Sequence, residues 1–339
     1  MIVDRYYYYQ LNKQEQAIYK AFYKGAMAHQ DIIPISVRGE FSQESFERIF
    51  MAMTRDNPLI YFLNQSACSI ASDMFGHVAI CPQYFLTKEK VKEYNRKIEK
   101  VVNNLAGQLH LLECNDYEKE LRVHDWICQN VEYDYEGTDK DKISRVIASH
   151  NILGVFAYHK AQCEGIAKAV KVLLNAVDVK CIVATGMAGK DGNMGPHAWN
   201  IVNINGEPYQ LDATWDISVI GQGKHHVVYD YFNLTDELMN LEHNPENVLP
   251  KCNKGSANYF IKNRCDFQTR YVLLKYIQEQ VEQGKKELVF RINGRLKKEN
   301  IAAVIDEFLL KKYQDTEVKW VSSLYKTNKK IGVYYIKIS

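Results

Sequence analysis

Behind Cys163 the apolar residues Ile166, Val170, Leu173, Leu174 and Val177 recur at helical spacing, and the pattern predicts one buried helix from about residue 163 to residue 177. The β-branched residues Val179, Ile182, Val183 and Thr185 then predict a strand ending at Gly186, followed by a Gly-rich loop from Gly186 to Gly195. The run HAWNIVNINGEPYQLDATW reads as two strands joined by Asn205-Gly206, the dipeptide that best fits a type I′ hairpin turn. A two-residue turn sets His197 opposite Thr214 and Trp199 opposite Asp212, so His197 and Asp212 become diagonal neighbours on one face. The opposite face, with Ala198, Val202, Ile204, Tyr209, Leu211 and Ala213, is the one expected to be buried.

Elsewhere the pattern is coarser. Leu11, Ile18, Phe22 and Ala26 predict a helix over residues 10–30, followed by a strand at IIPISV, a helix from about Ser42 to Arg55, and strands at LIYFL and GHVAICP. Residues 1–86 thus read as a small β-α-β-β module. A charged helix from Lys88 to Leu112, carrying Val91, Ile98, Val101, Val102 and Leu105, makes 87–115 a connector. Asn115 with Glu118 three residues on is a helix-capping pair that opens LRVHDWICQNVEYDYE, the start of a core over 116–250. In 251–339 the earlier pattern returns at a constant separation of 255 residues, so that Phe41 meets Leu296, Glu44 meets Glu299, Phe46 meets Ile301, Ile49 meets Val304 and Phe50 meets Ile305, while Gly39 meets Gly294. A second β-α-β-β module is expected there. YYYY at 6–9 reads as a packed edge, and LYKTNKK at 324–330 as a solvated hairpin turn.

At 339 residues the chain exceeds what one core usually holds. With 46% apolar and 25% charged residues it has the composition of a soluble globular protein, and a net charge of +2 gives no support for a nucleic-acid surface. No stretch is apolar enough for a signal peptide or a membrane span, which places the expectation in the cytoplasm with no membrane partner. The eight cysteines are scattered without CxxC pairs, as reduced core thiols are. His225 and His226 are adjacent and would point to opposite sides of a strand, and no HExxH or paired CxxC occurs, so neither metal nor cofactor is expected.

The chemistry concentrates in Ala161 to Asp216. Cys163 sits at the predicted helix N-terminus, where unpaired N–H groups and the positive dipole end favour a thiolate, and Gly165 leaves the first turn open to substrate. A Cys at a helix start, a His opening a strand and an Asp on the next strand supply a nucleophile, a base and a group that fixes the base's tautomer. Acyl transfer follows, with Cys163 attacking a carbonyl, His197 moving the proton, Asp212 orienting His197 and backbone N–H groups holding the oxyanion. Gln162, Trp199, Tyr158 and Tyr133 are further cleft or oxyanion candidates.

With AQCEGIAKAV around Cys163, HAWNIV around His197 and LDATWD around Asp212, in the order Cys, His, Asp, the chain resembles the transglutaminase-like superfamily. That superfamily includes transglutaminases, peptide N-glycanases and many bacterial cysteine proteases or amidases. LRVHDWICQNVEYDYE resembles its lead-in helix, and YFNLTDELMNLEHNP resembles the closing segment of bacterial members. The resemblance implies an α+β, papain-like core in which the Cys-bearing helix packs on an antiparallel sheet, flanked here by the two small modules. It also implies a protein or peptide substrate. Crosslinking members usually carry an aromatic residue after the cysteine, whereas this chain has Glu164, so hydrolysis is expected over crosslinking. The competing class is a binding or scaffold protein that keeps the fold without turnover.

Overall fold

Asn205 and Gly206 take positive φ angles of 53° and 89°, as a type I′ turn requires, and the turn sets the register of the central sheet. Ile204 pairs with Glu207 and Asn200 with Leu211, the pairing expected from the turn. The computed structural model describes residues 4–37, 41–64, 67–136, 147–190, 192–219, 225–313 and 322–338. Its central sheet is antiparallel, with strands in the order His243–Pro245, Cys181–Lys190, Asn193–Ile204 and Glu207–Leu211.

The Gly-rich stretch is not a loop. Strands Cys181–Lys190 and Asn193–Ile204 pair from Cys181 with Val202 out to Lys190 with Asn193. Gly186 serves a close backbone approach: a Cβ there would lie 2.1 Å from the Asn244 carbonyl oxygen of the edge strand. Glycine inside a strand can mark such a close backbone approach.

Helix Cys163–Ala176 lies across one sheet face. Cys163 and the small side chains of Ala167, Val183 and Ala198 meet at the contact, and the buried Asn200 amide donates to the carbonyls of Ala167 (2.9 Å) and Ile182 (3.1 Å), tying helix to sheet. Val202, Ile204, Tyr209 and Leu211 extend this buried face, as the alternation predicts. The second face is buried as well: Ile182, Ala184, Trp199 and Ile201 pack with Val228, Tyr231 and Leu234 and with the apolar residues of the C-terminal segment. One-sided burial was the wrong expectation, because the chain after Asp216 returns to cover the other side. The result is an α+β, papain-like core with the Cys-bearing helix on an antiparallel sheet. The lead-in helix Asp116–Asn130 opens with a reciprocal capping box between Asn115 and Glu118.

The N-terminal segment holds helices Lys13–Met27 and Gln43–Asp56 and a three-stranded sheet whose strands Ile33–Ile35, Ser69–Ser72 and Val78–Cys81 lie in the order first, third, second. The expected strand at LIYFL is absent. Ile60 to Leu63 are buried, but they follow a turn in which the Ile60 N–H donates to Asn57, and the strand forms at Ser69–Ser72 instead. In the C-terminal segment, helices Arg270–Glu282 and Ile301–Lys312 accompany strands Glu287–Ile292, Ser322–Asn328 and Val333–Ile338, again ordered first, third, second, with Asp266–Phe267 added in parallel at the edge. Each N-terminal strand, moved 255 positions along the chain, falls on its C-terminal counterpart. Gly39 lies outside the described residues. Tyr7, Ile18, Phe22 and Ile49 share one apolar core with Val102 of the connecting helix Lys88–Gln108 and with Val170 of the Cys163 helix. Tyr7 and Tyr8 of the tyrosine run are buried, and the Tyr7 hydroxyl donates to the Val183 carbonyl at 2.6 Å. Among the described residues no helix is long and apolar enough to cross a membrane.

The close approach at Gly186 is testable. Gly186→Ala should lower unfolding free energy by about 1–3 kcal/mol in denaturant titrations, as overpacking does. Gly195→Ala, where nothing lies within 4 Å of the added carbon, should change it by under about 0.5 kcal/mol.

Candidate active site

Cys163 is the first residue of its helix, after an extended Gln162. The first-turn N–H groups therefore face the thiol without intrahelical partners. Gln162 is buried and its amide donates to the Asp134 carbonyl at 3.2 Å, so backbone groups are the nearer source of an oxyanion site. Contrary to the expectation, Gly165 does not open the turn to substrate; a Cβ there would lie 2.5 Å from the Ser149 carbonyl oxygen, so it admits the neighbouring chain. Glu164 turns to Lys168 (2.6 Å) and His150 (3.5 Å). Burial would raise its pKa, but those two cationic partners hold it low.

His197 connects the other two groups. Its Nε2 lies 2.7 Å from Asp212 Oδ2, and Cys163 is near enough to the ring to help raise its pKa, with Nδ1 the nitrogen left to face the sulfur. The ring lies between Trp199, stacked at 6.1 Å, and Trp215 at 5.6 Å. Trp199 is itself buried and donates its indole N–H to Gln210 Oε1 at 2.8 Å, so it forms the floor under the imidazole rather than an open cleft wall.

Asp212 departs from the expected strand. The ladder ends at Leu211 and Asp212 becomes the cap of a short helix, Ala213–Asp216, its Oδ1 accepting from the Trp215 N–H at 3.1 Å. Thr214 lies in that helix and so is not a strand partner of His197. The imidazole and carboxylate still meet, because the chain turns only after the register has set their face. Burial would by itself drive the His197 pKa down, yet the adjacent Asp212 carboxylate outweighs it and pushes the value up to about 10. Burial would likewise raise Asp212, but the charge and N–H of His197 hold it well below the usual carboxylate range.

His243 is a member of the site that the sequence pattern did not single out. It starts the edge strand, pairs with Ala188 and places Nε2 3.0 Å from the same Asp212 Oδ2. It lies within the closing segment YFNLTDELMNLEHNP, and only its pairing across strand Cys181–Lys190 brings it to Asp212, a contact no local periodicity encodes. Among the described residues, His197, Asp212 and His243 are the cluster whose ligand-type atoms could surround a cation, all within 4.8 Å of one another. As bonded here, both Nε2 atoms are donors to the carboxylate, and a cation would have to displace both protons.

Of the remaining candidates, Tyr133 is half-buried, its hydroxyl pKa pushed up to about 12 by burial first and then by its neighbours Cys163, Tyr135 and Asp212. Tyr158 is not brought to the site. It is exposed and lines a groove with Tyr94, Lys97, Ile98 and Phe156 against the connecting helix. The side chains of His225 and His226 lie outside the described residues.

A cysteine at a helix N-terminus, an imidazole beside it and a buried carboxylate bonded to the imidazole are the parts that a thiol acyl-transfer centre needs. Residues 103–213, about a third of the chain, match the family model described as Transglutaminase-like superfamily. The chain is 25% identical over 162 residues to kyphoscoliosis peptidase of Mus musculus and 24% identical over the same length to that of Homo sapiens. Each match covers 44% of this chain and 23% of the relative, so the chain spans about a quarter of those proteins' length. A solved TGase aligns over 58% of this chain and 53% of its own at 14% identity, with a TM-score of 0.30, too low to argue from.

The raised His197 value gives a pH signature. A group whose folded pKa exceeds its unfolded value of 6.5 contributes stability that is complete below that value and fades as pH rises through about 10. Asp212, held low, contributes above about pH 4 and loses that contribution as the solution is acidified further. Melting temperature should therefore fall more steeply between pH 7 and 10 in the native protein than in Asp212→Asn. Parallel slopes would mean that the pair is not ionised.

Proposed function

We propose that the chain is a cysteine enzyme that transfers acyl groups from amide or peptide bonds through a thioester on Cys163, with water as the favoured acceptor. The observation that carries this reading is one imidazole bonded to the buried Asp212 carboxylate beside the Cys163 that starts its helix. His197 takes the thiol proton, the sulfur adds to the substrate carbonyl, and N–H groups of the helix's first turn receive the oxyanion. Collapse breaks the C–N bond, and His197 returns the proton to the departing amine. Water, deprotonated by His197, then attacks the thioester and releases the acid.

Glu164 beside the nucleophile supports hydrolysis over crosslinking, and the curated relatives are named peptidases. Proteins or peptides are the substrate class that fits. The two flanking segments, with their shared strand order, read as related modules at 1–86 and 251–339 that hold the core and present substrate to it. Eight free cysteines suit a reducing compartment such as the cytoplasm.

The test uses the full chain with casein, reading new N-termini, ammonia release and incorporation of dansylcadaverine side by side. New N-termini or ammonia should exceed amine incorporation. Cys163→Ala and His197→Ala should each cost about a thousandfold, and Asp212→Asn about a hundredfold. Turnover that survives Cys163→Ala would remove the assignment; dominant amine incorporation would replace hydrolysis by crosslinking.

A further inference from the structure

We infer that His243 is a positioning residue of this site, a second imidazole that donates to the Asp212 carboxylate and is held there by the C-terminal hairpin; the inference rests on the acyl-transfer reading above.

Asp212 Oδ2 has two imidazole nitrogens against it, His197 Nε2 at 2.7 Å and His243 Nε2 at 3.0 Å, while Oδ1 is engaged by the Trp215 N–H. His243 is fully buried and its Nδ1 has no hydrogen-bond partner among the described residues. Its ring is surrounded by Trp215 at 4.5 Å, Trp199 at 5.1 Å and Tyr231 at 5.7 Å. A side chain needed there only to fill space would be apolar, since an unpaired buried nitrogen is destabilising. The bond to Asp212 is thus what the imidazole contributes. Because the carboxylate accepts, Nε2 is the nitrogen that carries the bonding proton.

The C-terminal hairpin holds this arrangement. Glu242, next to His243, accepts the Tyr231 hydroxyl at 2.5 Å and pairs with Lys330 at 3.4 Å, and the Tyr231 oxygen in turn accepts from the Asn328 amide at 3.0 Å. Asn328 and Lys330 belong to the lysine-rich turn read from sequence as solvated. It is a hairpin with Lys329 and Lys330 exposed, as expected, while the buried Asn328 joins it to the core.

The second donor has a chemical consequence. It draws negative charge from Asp212, so the carboxylate stabilises the His197 imidazolium less than it would alone, and His197 releases its proton at a lower pH. The charged or titratable groups around His243 are Asp212, His197 and Tyr231, with Glu242 adjacent in the chain and Lys190 above the Trp215 ring at 5.3 Å. Among the described residues, only Asp212 hydrogen-bonds the ring.

The experiment measures Cys163 alkylation by iodoacetamide against pH in the full chain, resolved by peptide mass spectrometry, for the native protein, His243→Phe and His243→Gln. Native Cys163 should react well below the pH at which ordinary thiols do, with an upper change where His197 deprotonates. His243→Phe should move that upper change up by about half a unit to one unit, and His243→Gln, whose amide nitrogen reaches the same place, should restore it. In the native protein, nitrogen-15 spectra of labelled histidine should show a proton on His243 Nε2. An Nδ1–H tautomer, a His243→Phe profile that overlays the native one, or failure of His243→Gln to restore it would overturn the role of His243 alone. A native Cys163 no faster below neutrality than the other seven thiols would overturn the acyl-transfer reading and this inference with it.

Discussion

Asp212 carries its charge with none of its side chain exposed, and the parts of the core meet in order to accommodate it. An isolated carboxylate moved into such a site would cost several kcal/mol or take up a proton. Here His197, His243 and the Trp215 N–H satisfy its oxygens, and its own N–H bonds the Tyr231 carbonyl at 3.0 Å. Those partners come from the second strand of the long hairpin, the edge strand, the short helix and the segment leading out of it. Further support lies one layer away: Asp216 accepts the Tyr231 N–H and meets His124 of the lead-in helix at 3.2 Å, closing the short helix against the helical layer. Removing any one element would leave a buried charge short of a donor.

The thiol is placed by a different kind of constraint. Helix Cys163–Ala176 approaches the sheet closely because the side chains between them are small, and Asn200 fixes how far along the sheet the helix sits. Chain passing at Ser149 and Asn151 closes on Gly165 from the other side. With the helix held on two sides, its N-terminus presents Cys163 to the imidazole, and the unpaired first-turn N–H groups come with it. Nucleophile and candidate oxyanion site are thus consequences of one packing contact.

Much of this was legible from local pattern. The apolar spacing after Cys163, the Asn115–Glu118 cap and the Asn205-Gly206 turn each act within a few residues, and a turn of defined length transmits its register along both strands. What escaped depends on chain far away in sequence. Gly186 and its neighbours read as a loop because their purpose is the approach of Asn244, and Trp199 read as cleft wall because the chain that buries it comes after Asp216. Asp212 read as a strand residue because its capping role appears only once the helix after it forms. His243 is the clearest case, a lone histidine whose meaning is the strand it pairs with. Tyr158 failed for the opposite reason, since nearness in sequence to Cys163 does not survive the turn between their helices.

On the proposed function, the sulfur accepts an acyl group because His197 and Asp212 make it a nucleophile. The most direct measurement is acid-quenched intact-protein mass spectrometry after brief mixing with an activated acyl ester. The account predicts one acyl adduct, mapped to Cys163, released by hydroxylamine and absent from His197→Ala. Adducts spread over several cysteines, or one on Cys163 that forms equally fast without His197, would contradict it.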